Sequence, residues 1–345
     1  MKELRPESLR TQVAHSTMSQ VAERAGVSTM TVSRVLRNPS LVSAETRSRV
    51  QKAVEEVGYI PNALAGGLRL SSTSNLVAVI LPSLDNSLYS RTIQGLSDAL
   101  VGHGLNLMLG DNRYSSIVEE RLVESFMEQR PAGFVLHETT HSAKTKRMLM
   151  LARVPVVEIG DLVARPIDAV VSYSNKLASQ ALTMHLAGRG YRRIGFVSVP
   201  IAGNRRAQQR REGYLQALKN SGITPSEKLI IECEPGFASG ARGLDLLISK
   251  QVKADAIFFA GDVFGIGALL ECQRRGLRVP GDIALASFDD YEISAQLTPH
   301  LTCLDIPRYR IGQEAARVVL TRCLAKDIGR ERVNVGFSVL PNQTT

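Results

Sequence analysis

The stretch TMSQVAERAGVSTMTVSRVL, Thr17 to Leu36, decides how the chain is read. It divides into two short helices and a tight turn. Thr17 and Gln20 have the spacing of a capping box, so the first helix starts there. Val21 and Ala25 give it an apolar stripe, and the small Ala22 lets a neighbour approach. Gly26 takes the left-handed conformation that leaves a helix, and Ser28 stands where the next helix needs a cap. In that second helix Val32, Val35 and Leu36 fall at i, i+3 and i+4 and share one buried face. Thr29, Met30, Ser33 and Arg34 remain outside. Arginine bonds two acceptors on guanine, and Thr or Met methyls suit thymine methyls, so the outer face fits the DNA major groove. A helical hairpin with a solvated face would show the same two-helix pattern; the residues downstream decide between them.

Those residues add a third helix. Asn38-Pro39-Ser40 forms a loop and Ser43 caps a segment with Val50, Ala53, Val54 and Val57 on one face. Gly58 ends it and Pro61 prevents its continuation. Residues 17–61 thus read as a compact helical headpiece, preceded by a loose polar tail, 1–16. Residues 62–75 follow as a linker. Asn62 is placed to cap a short helix from Ala63 to Leu70, but Gly66 and Gly67 each cost about 1 kcal/mol of helix propensity. Such a helix forms only against a partner.

From Leu76 the pattern alternates strand and helix. Apolar runs at 76–82, 105–110, 133–137, 155–160 and 167–173 form one series, and runs at 193–199, 228–232, 255–261 and 283–288 a second. Near-continuous apolar strands between amphipathic helices imply parallel sheets covered on both faces. Two series imply two α/β subdomains in a core spanning 76–345, with a cleft at the carboxyl ends of the strands. After the strand holding Cys303 and Leu304, a helix runs from Arg308 to about Ala325, and VNVGFSVLP is expected as a closing strand. No leucine heptads follow, so a dimer is expected rather than a coiled-coil tetramer.

Composition sets the outer bounds. The 345 residues are 44% hydrophobic, with a mean hydropathy of −0.03. No apolar run approaches the roughly 20 residues of a membrane span, and no export signal is seen. Cys233, Cys272, Cys303 and Cys323 are scattered without a CxxC pair, which suits reduced thiols in a cytoplasmic protein, and a DNA-reading headpiece would make it nucleoid-associated. The net charge is +9, and residues 17–70 carry seven basic side chains against four acidic ones, consistent with phosphate contacts.

With AERAGVSTMTVSRVL, the VSAETRSRV helix, GYIPN with Leu68 following, and RGLRVPGDIALASFDD in that order, the chain resembles the LacI/GalR family of bacterial transcription regulators. The resemblance implies an all-α helix-turn-helix headpiece, a hinge helix, and an α/β core like a type I periplasmic binding protein. It implies a homodimer on a near-palindromic, double-stranded operator, responding to a small carbohydrate or sugar-acid effector. MTVSRVLRNP, LPSLDN, VPVVE and ECQRRGLRVP look most like the gluconate-utilisation branch. By the same resemblance, Thr29, Met30 and Arg34 read bases, Thr17, Ser28, Thr31, Ser33 and Asn38 hold phosphates, and Leu68 wedges into the minor groove.

For the effector, the family's pocket arginine corresponds to Arg210 and its pocket aspartate to Asp289. Asn86, Tyr89, His137, Glu138 and Asp262 follow strands and are expected to wall the pocket. An arginine with a carboxylate suits a polyhydroxylated acid. Gly261, where many relatives carry asparagine, and the repulsion expected from Asp289 leave a neutral sugar, a sugar phosphate or a purine open.

Two patterns compete with this reading. His137-Glu138-Thr139-Thr140-His141 fits the zinc-protease HExxH pattern, but it begins at a strand end and runs through two threonines, against the single helical face that zinc chemistry requires. GDVFGIG lacks the spacing of a dinucleotide fingerprint and reads as a helix start. No Ser/His/Asp arrangement, phosphate loop or metal cluster supports an enzyme, so no catalytic residue and no cofactor is expected.

Overall fold

The computed structural model describes residues 16–60, 73–85, 88–249, 251, 253–290, 292–324 and 329–345. The chain divides between Ser74 and Asn75 into two compact units. The expected tail as far as residue 15, the hinge helix with Leu68, and Asn86 fall on residues outside the described ones.

The first unit contains α1 (Met18–Ala25), α2 (Thr29–Arg37) and α3 (Ala44–Val57). Val21, Ala22, Ala25, Val32, Val35, Val50 and Ala53 form its core, with Leu36, Val54 and Val57 packed at the margin. Each helix start is capped by a hydroxyl, from Thr17, Ser28 and Ser43 in turn. At Thr17 both halves of the capping box are made, the Gln20 amide oxygen accepting from the Thr17 backbone at 2.7 Å. Gly26 leaves α1 at φ +61°, a value that glycine adopts without penalty.

The second unit has two lobes. The first lobe contains β1 (Leu76–Leu81), α4 (Leu88–Val101), β2 (Asn106–Asp111), α5 (Ser116–Glu128), β3 (Gly133–Leu136), α6 (Ala143–Ala152), β4 (Val156–Glu158) and β5 (Ala169–Ser172). The second runs α7 (Asn175–Gly188), β6 (Ile194–Ser198), α8 (Arg205–Asn220), β7 (Ile230–Glu232), α9 (Phe237–Ile248), β8 (Ala256–Phe259), α10 (Asp262–Arg275), β9 (Ala284–Ser287) and β10 (Thr302–Asp305). The chain then returns: α11 (Arg308–Leu324) packs on α4 and on β3 to β5, β11 (Glu331–Asn334) pairs with β5, and β12 (Ser338–Leu340) pairs with β10. The sheet orders are β11-β5-β4-β3-β1-β2 and β12-β10-β9-β8-β6-β7.

Two details depart from the sequence reading. The second sheet is parallel except at its edge, where β12 runs antiparallel to β10. VNVGFSVLP is two strands in two sheets, not one closing strand. Asn334 Oδ1 accepts from the Gly336 backbone at 3.1 Å, and Gly336 adopts φ +75°, so the chain turns between them and leaves one lobe for the other. The lobes are therefore joined at three places, after β5, after β10 and after β11.

Glycines let the helices meet backbone to backbone. A Cβ on Gly213 in α8 would lie 2.1 Å from the Lys176 carbonyl oxygen of α7, and one on Gly312 in α11 equally close to the Thr92 carbonyl of α4. Gly213→Ala should lower stability by about 1–3 kcal/mol, since backbone must move to admit the methyl. A urea titration reads this as a lower midpoint at unchanged slope; an unshifted midpoint would show that the two helices separate without cost. Among the described residues no helix is long and apolar enough to cross a membrane.

Candidate DNA-reading face and effector cavity

The headpiece presents Thr29, Met30, Arg34 and Asn38 to solvent, while Thr31 and Ser33 are half-buried. Met30 is 71% exposed at the start of α2, leaving a large apolar side chain uncovered. Arg34 has no ion-pair partner among the described residues, whereas Arg24 is tied to Glu56 at 2.5 Å. The Thr17 and Ser28 hydroxyls both cap helices, yet both residues are exposed beside the amino ends of α1 and α2. Helix amino ends carry unpaired N–H groups and partial positive charge, which suits phosphate.

In the second unit the carboxyl ends of both sheets face one small cavity of about 80 Å³. The first lobe contributes Tyr89 from α4, His137 after β3, Gly160 and Tyr173; the second contributes Ser198, Arg206, Arg210, Gly261 and Asp289. His137 and Tyr89 meet edge to face, with ring centres 4.6 Å apart. Burial, and then the positive charges of Arg206, Arg308 and Arg210, push His137 well below the usual histidine range, so it is a neutral polar group at pH 7. Its Nδ1 is buried without a hydrogen-bond partner.

Arg210 is held from four directions. Nε donates to Asn175 Oδ1 at 2.9 Å, Nη1 donates to the Ala260 carbonyl at 2.8 Å, Nη2 lies 4.0 Å from Asp289, and the guanidinium rests 3.6 Å above the Phe288 ring. Asn175, fully buried at the start of α7, is fixed in turn by the Gly160 carbonyl and by Asp161. Asp289 sits at φ +72°, a strained value for a residue with a side chain, at the carboxyl end of β9. The Arg308 guanidinium donates to its other oxygen. Burial alone would lower the Arg308 pKa, but Asp289 beside it more than offsets this, and the guanidinium stays charged.

Arg206 and Arg308 were not singled out in the sequence. The i, i+4 spacing of Arg206 and Arg210 on α8 would have found the first; the second follows a lobe crossing, and no local pattern marks it. Glu138 does not line the cavity as expected. It lines an adjoining groove and accepts from Arg206 Nη2 at 2.8 Å. Asp262 begins α10; its side chain is outside the described residues. The HExxH pattern lies in the loop between β3 and α6, not on a helix. His137 faces the cavity, whereas His141 is buried between two glutamates, Nδ1 being 2.7 Å from Glu119 and Nε2 3.4 Å from Glu158.

Residues 17–62 match the family profile "Bacterial regulatory proteins, lacI family", and residues 183–345 match "Periplasmic binding protein-like domain". The chain is 32% identical over 324 residues to the HTH-type transcriptional regulator GntR of Escherichia coli K12, covering 94% of this chain and 97% of that one. It belongs to the LacI family. The HTH-type transcriptional repressor CytR of the same organism is 30% identical over 91% of this chain and 92% of its own. A LacI-family regulator from Silicibacter pomeroyi superposes with a TM-score of 0.87 at 32% identity, covering 95% and 98% of the two chains. As a LacI-family protein the chain is a DNA-binding transcriptional repressor, with a helix-turn-helix unit and an α/β core of two mostly parallel sheets.

Proposed function

We propose that this LacI-family repressor binds a near-palindromic operator as a homodimer and leaves it when a polyhydroxylated carboxylate, gluconate or a near relative, enters the cavity between the lobes. The observation that carries the ligand class is the charge of the site. Among the described side chains, three guanidiniums, of Arg206, Arg210 and Arg308, stand against two carboxylates, Glu138 and Asp289, and His137 is neutral. One net positive charge among these described groups favours a monoanion. The repulsion that the sequence led one to expect from Asp289 is offset by Arg308 and Arg210 on its two oxygens. Tyr89, His137, Asn86 and Asp262 supply polar groups for ligand hydroxyls. The gluconate-like sequence phrases and the GntR relative point the same way.

On the DNA side, Arg34 reads guanine, Thr29 and Met30 meet base edges, and Thr17, Ser28, Thr31, Ser33 and Asn38 hold phosphates. Leu68 wedges into the minor groove between the half-sites. Ligand binding alters the angle between the lobes and thereby operator affinity, and operator weakens ligand binding by the same factor.

The test is fluorescence anisotropy on an operator selected from random DNA, with gluconate, ketogluconates, glucose, glucose 6-phosphate and purines titrated in. Release by gluconate or a ketogluconate is the expected result. Release only by a neutral sugar, a phosphate ester or a purine would discard the sugar-acid class, and an operator affinity indifferent to every compound that binds would discard the switch. On the same operator Arg34→Ala should cost about 1–3 kcal/mol and relax preference at one base pair per half-site. A uniform loss across all sequences would instead make Arg34 a phosphate contact.

A further inference from the structure

The Glu138–Arg206 pair joins the two lobes. Glu138 follows β3 of the first lobe, two strands in from β5, where the chain crosses over; Arg206 lies in the first turn of α8 in the second. The two residues also stand between two spaces. Arg206 lines the small inner cavity, and Glu138 lines an outer groove of about 690 Å³. Tyr114, Val199, Asn204 and Pro235 belong to both, so the groove leads to the cavity and the ion pair stands at the passage.

The pair is half of what its geometry allows. A guanidinium holds a carboxylate best through two parallel N–H groups, and the side-on fork is Nε with Nη2. Here Glu138 takes Nη2 alone, through one oxygen at 2.8 Å, and Arg206 Nε is buried without a partner. Arg206 is only 13% exposed, so water does not readily satisfy that donor.

We propose that the Glu138–Arg206 bridge is a latch between the lobes, and that a ligand carboxylate opens it by taking the Nε/Nη2 fork of Arg206 in place of Glu138. The inference rests on the acid-binding reading above and adds to it the residue that selects the acid and the contact that is broken. A neutral polyol offers only hydroxyls, which do not displace a charge-assisted bond, so the latch makes the response itself selective for acids. Once freed, Glu138 turns toward a groove that Arg113 and Arg205 also line.

The experiment is calorimetric titration of the full chain and its Glu138→Gln, Arg206→Lys and Arg206→Gln variants with D-gluconate and with its uncharged counterpart D-glucitol. Each variant is first checked for a cooperative thermal transition. Glu138→Gln removes the competing anion and should tighten gluconate about tenfold, with glucitol shifted less than about twofold. Arg206→Lys keeps the charge but loses the fork, and should lower the gluconate-to-glucitol affinity ratio at least about tenfold, Arg206→Gln further. If Glu138→Gln weakens gluconate as Arg206→Lys does, Glu138 holds ligand and is no latch. If the folded Arg206 variants keep the wild-type ratio, Arg206 does not take the acid. In either case the acid-binding reading survives, provided that wild type binds gluconate. Should the Arg206 variants fail to fold, the sign of the Glu138→Gln effect decides. Failure of wild type to bind gluconate or any ketogluconate removes the acid-binding reading first and the latch with it.

Discussion

Replacing Arg210 with alanine should lower affinity for gluconate at least about a hundredfold, close to 3 kcal/mol, and abolish release from operator at concentrations that saturate wild type. The size follows from what the guanidinium holds. Its loss leaves Asn175 Oδ1 and the Ala260 carbonyl without their donor, uncovers the Phe288 ring, and removes one of the two cations on Asp289, which is almost wholly buried. Asp289 would then have Arg308 alone as its cation, and the described groups of the site would lose their net positive charge. Arg210→Lys separates the two contributions: it restores charge but not the fork that reaches Asn175 and Ala260 together, so it should recover only part of the affinity. Calorimetry with gluconate reads both. An affinity for Arg210→Ala within threefold of wild type would remove Arg210 from the ligand site.

The second large effect is on stability. His141 is enclosed by Glu119 of α5 and Glu158 of β4, both nearly inaccessible to water, and Glu158 also accepts from the Ile167 backbone at 2.5 Å. Burial pushes the His141 imidazole down, but the two carboxylates more than reverse this and raise it from 6.5 to about 9. A group whose pKa rises on folding stabilises the fold fully below its unfolded value, and that contribution fades as pH climbs through the folded value. The loss should therefore run from about pH 6.5 to about pH 9, and the shift corresponds to roughly 3 kcal/mol. Urea denaturation at pH 6 and at pH 9.5 measures it. His141→Gln should be markedly less stable at pH 6, because two buried carboxylates lose their cation, and should show a much smaller fall between the two pH values. Parallel stability–pH curves for wild type and variant would show that His141 does not carry the charge.

The headpiece was legible almost residue by residue because its information is local. Caps, a left-handed glycine and i, i+4 faces are all set within a few positions, and Thr17, Gly26, Ser28, Val32 and Val35 stand where those rules put them. The strands of the core were legible for the same reason, as short apolar runs. The candidate cavity was legible only in part. Tyr89 and His137 were singled out because they follow strands, Arg210 from the family resemblance, and Asp289 from both, and all four line the cavity. Arg308 and Asn175 act across lobe crossings, and no sequence period announces such a contact. The His141 cluster was hidden by a competing pattern: the HExxH spacing drew attention to zinc, while Glu119 and Glu158 lie 22 and 17 positions away from His141. The split of VNVGFSVLP turned on Gly336, one residue inside a segment that otherwise reads as a continuous strand.

The return of the chain through α11, β11 and β12 also bears on how the protein is made. β5 is synthesised by residue 172, yet its edge partner β11 begins at Glu331, and α4, complete at Val101, waits longer still for α11, which begins at Arg308. The second lobe depends on the same late segment, since β12 closes its sheet and the hydroxyl of Thr345 is within 2.9 Å of both His185 and Thr302. A nascent polypeptide emerging from the ribosome therefore carries two unfinished lobes until residues 331–340 have been made, and both are completed within that short segment. A nonsense change between β10 and β11 leaves each lobe with an open sheet edge, and the truncated product is one for chaperones and proteases to clear, not a shortened regulator.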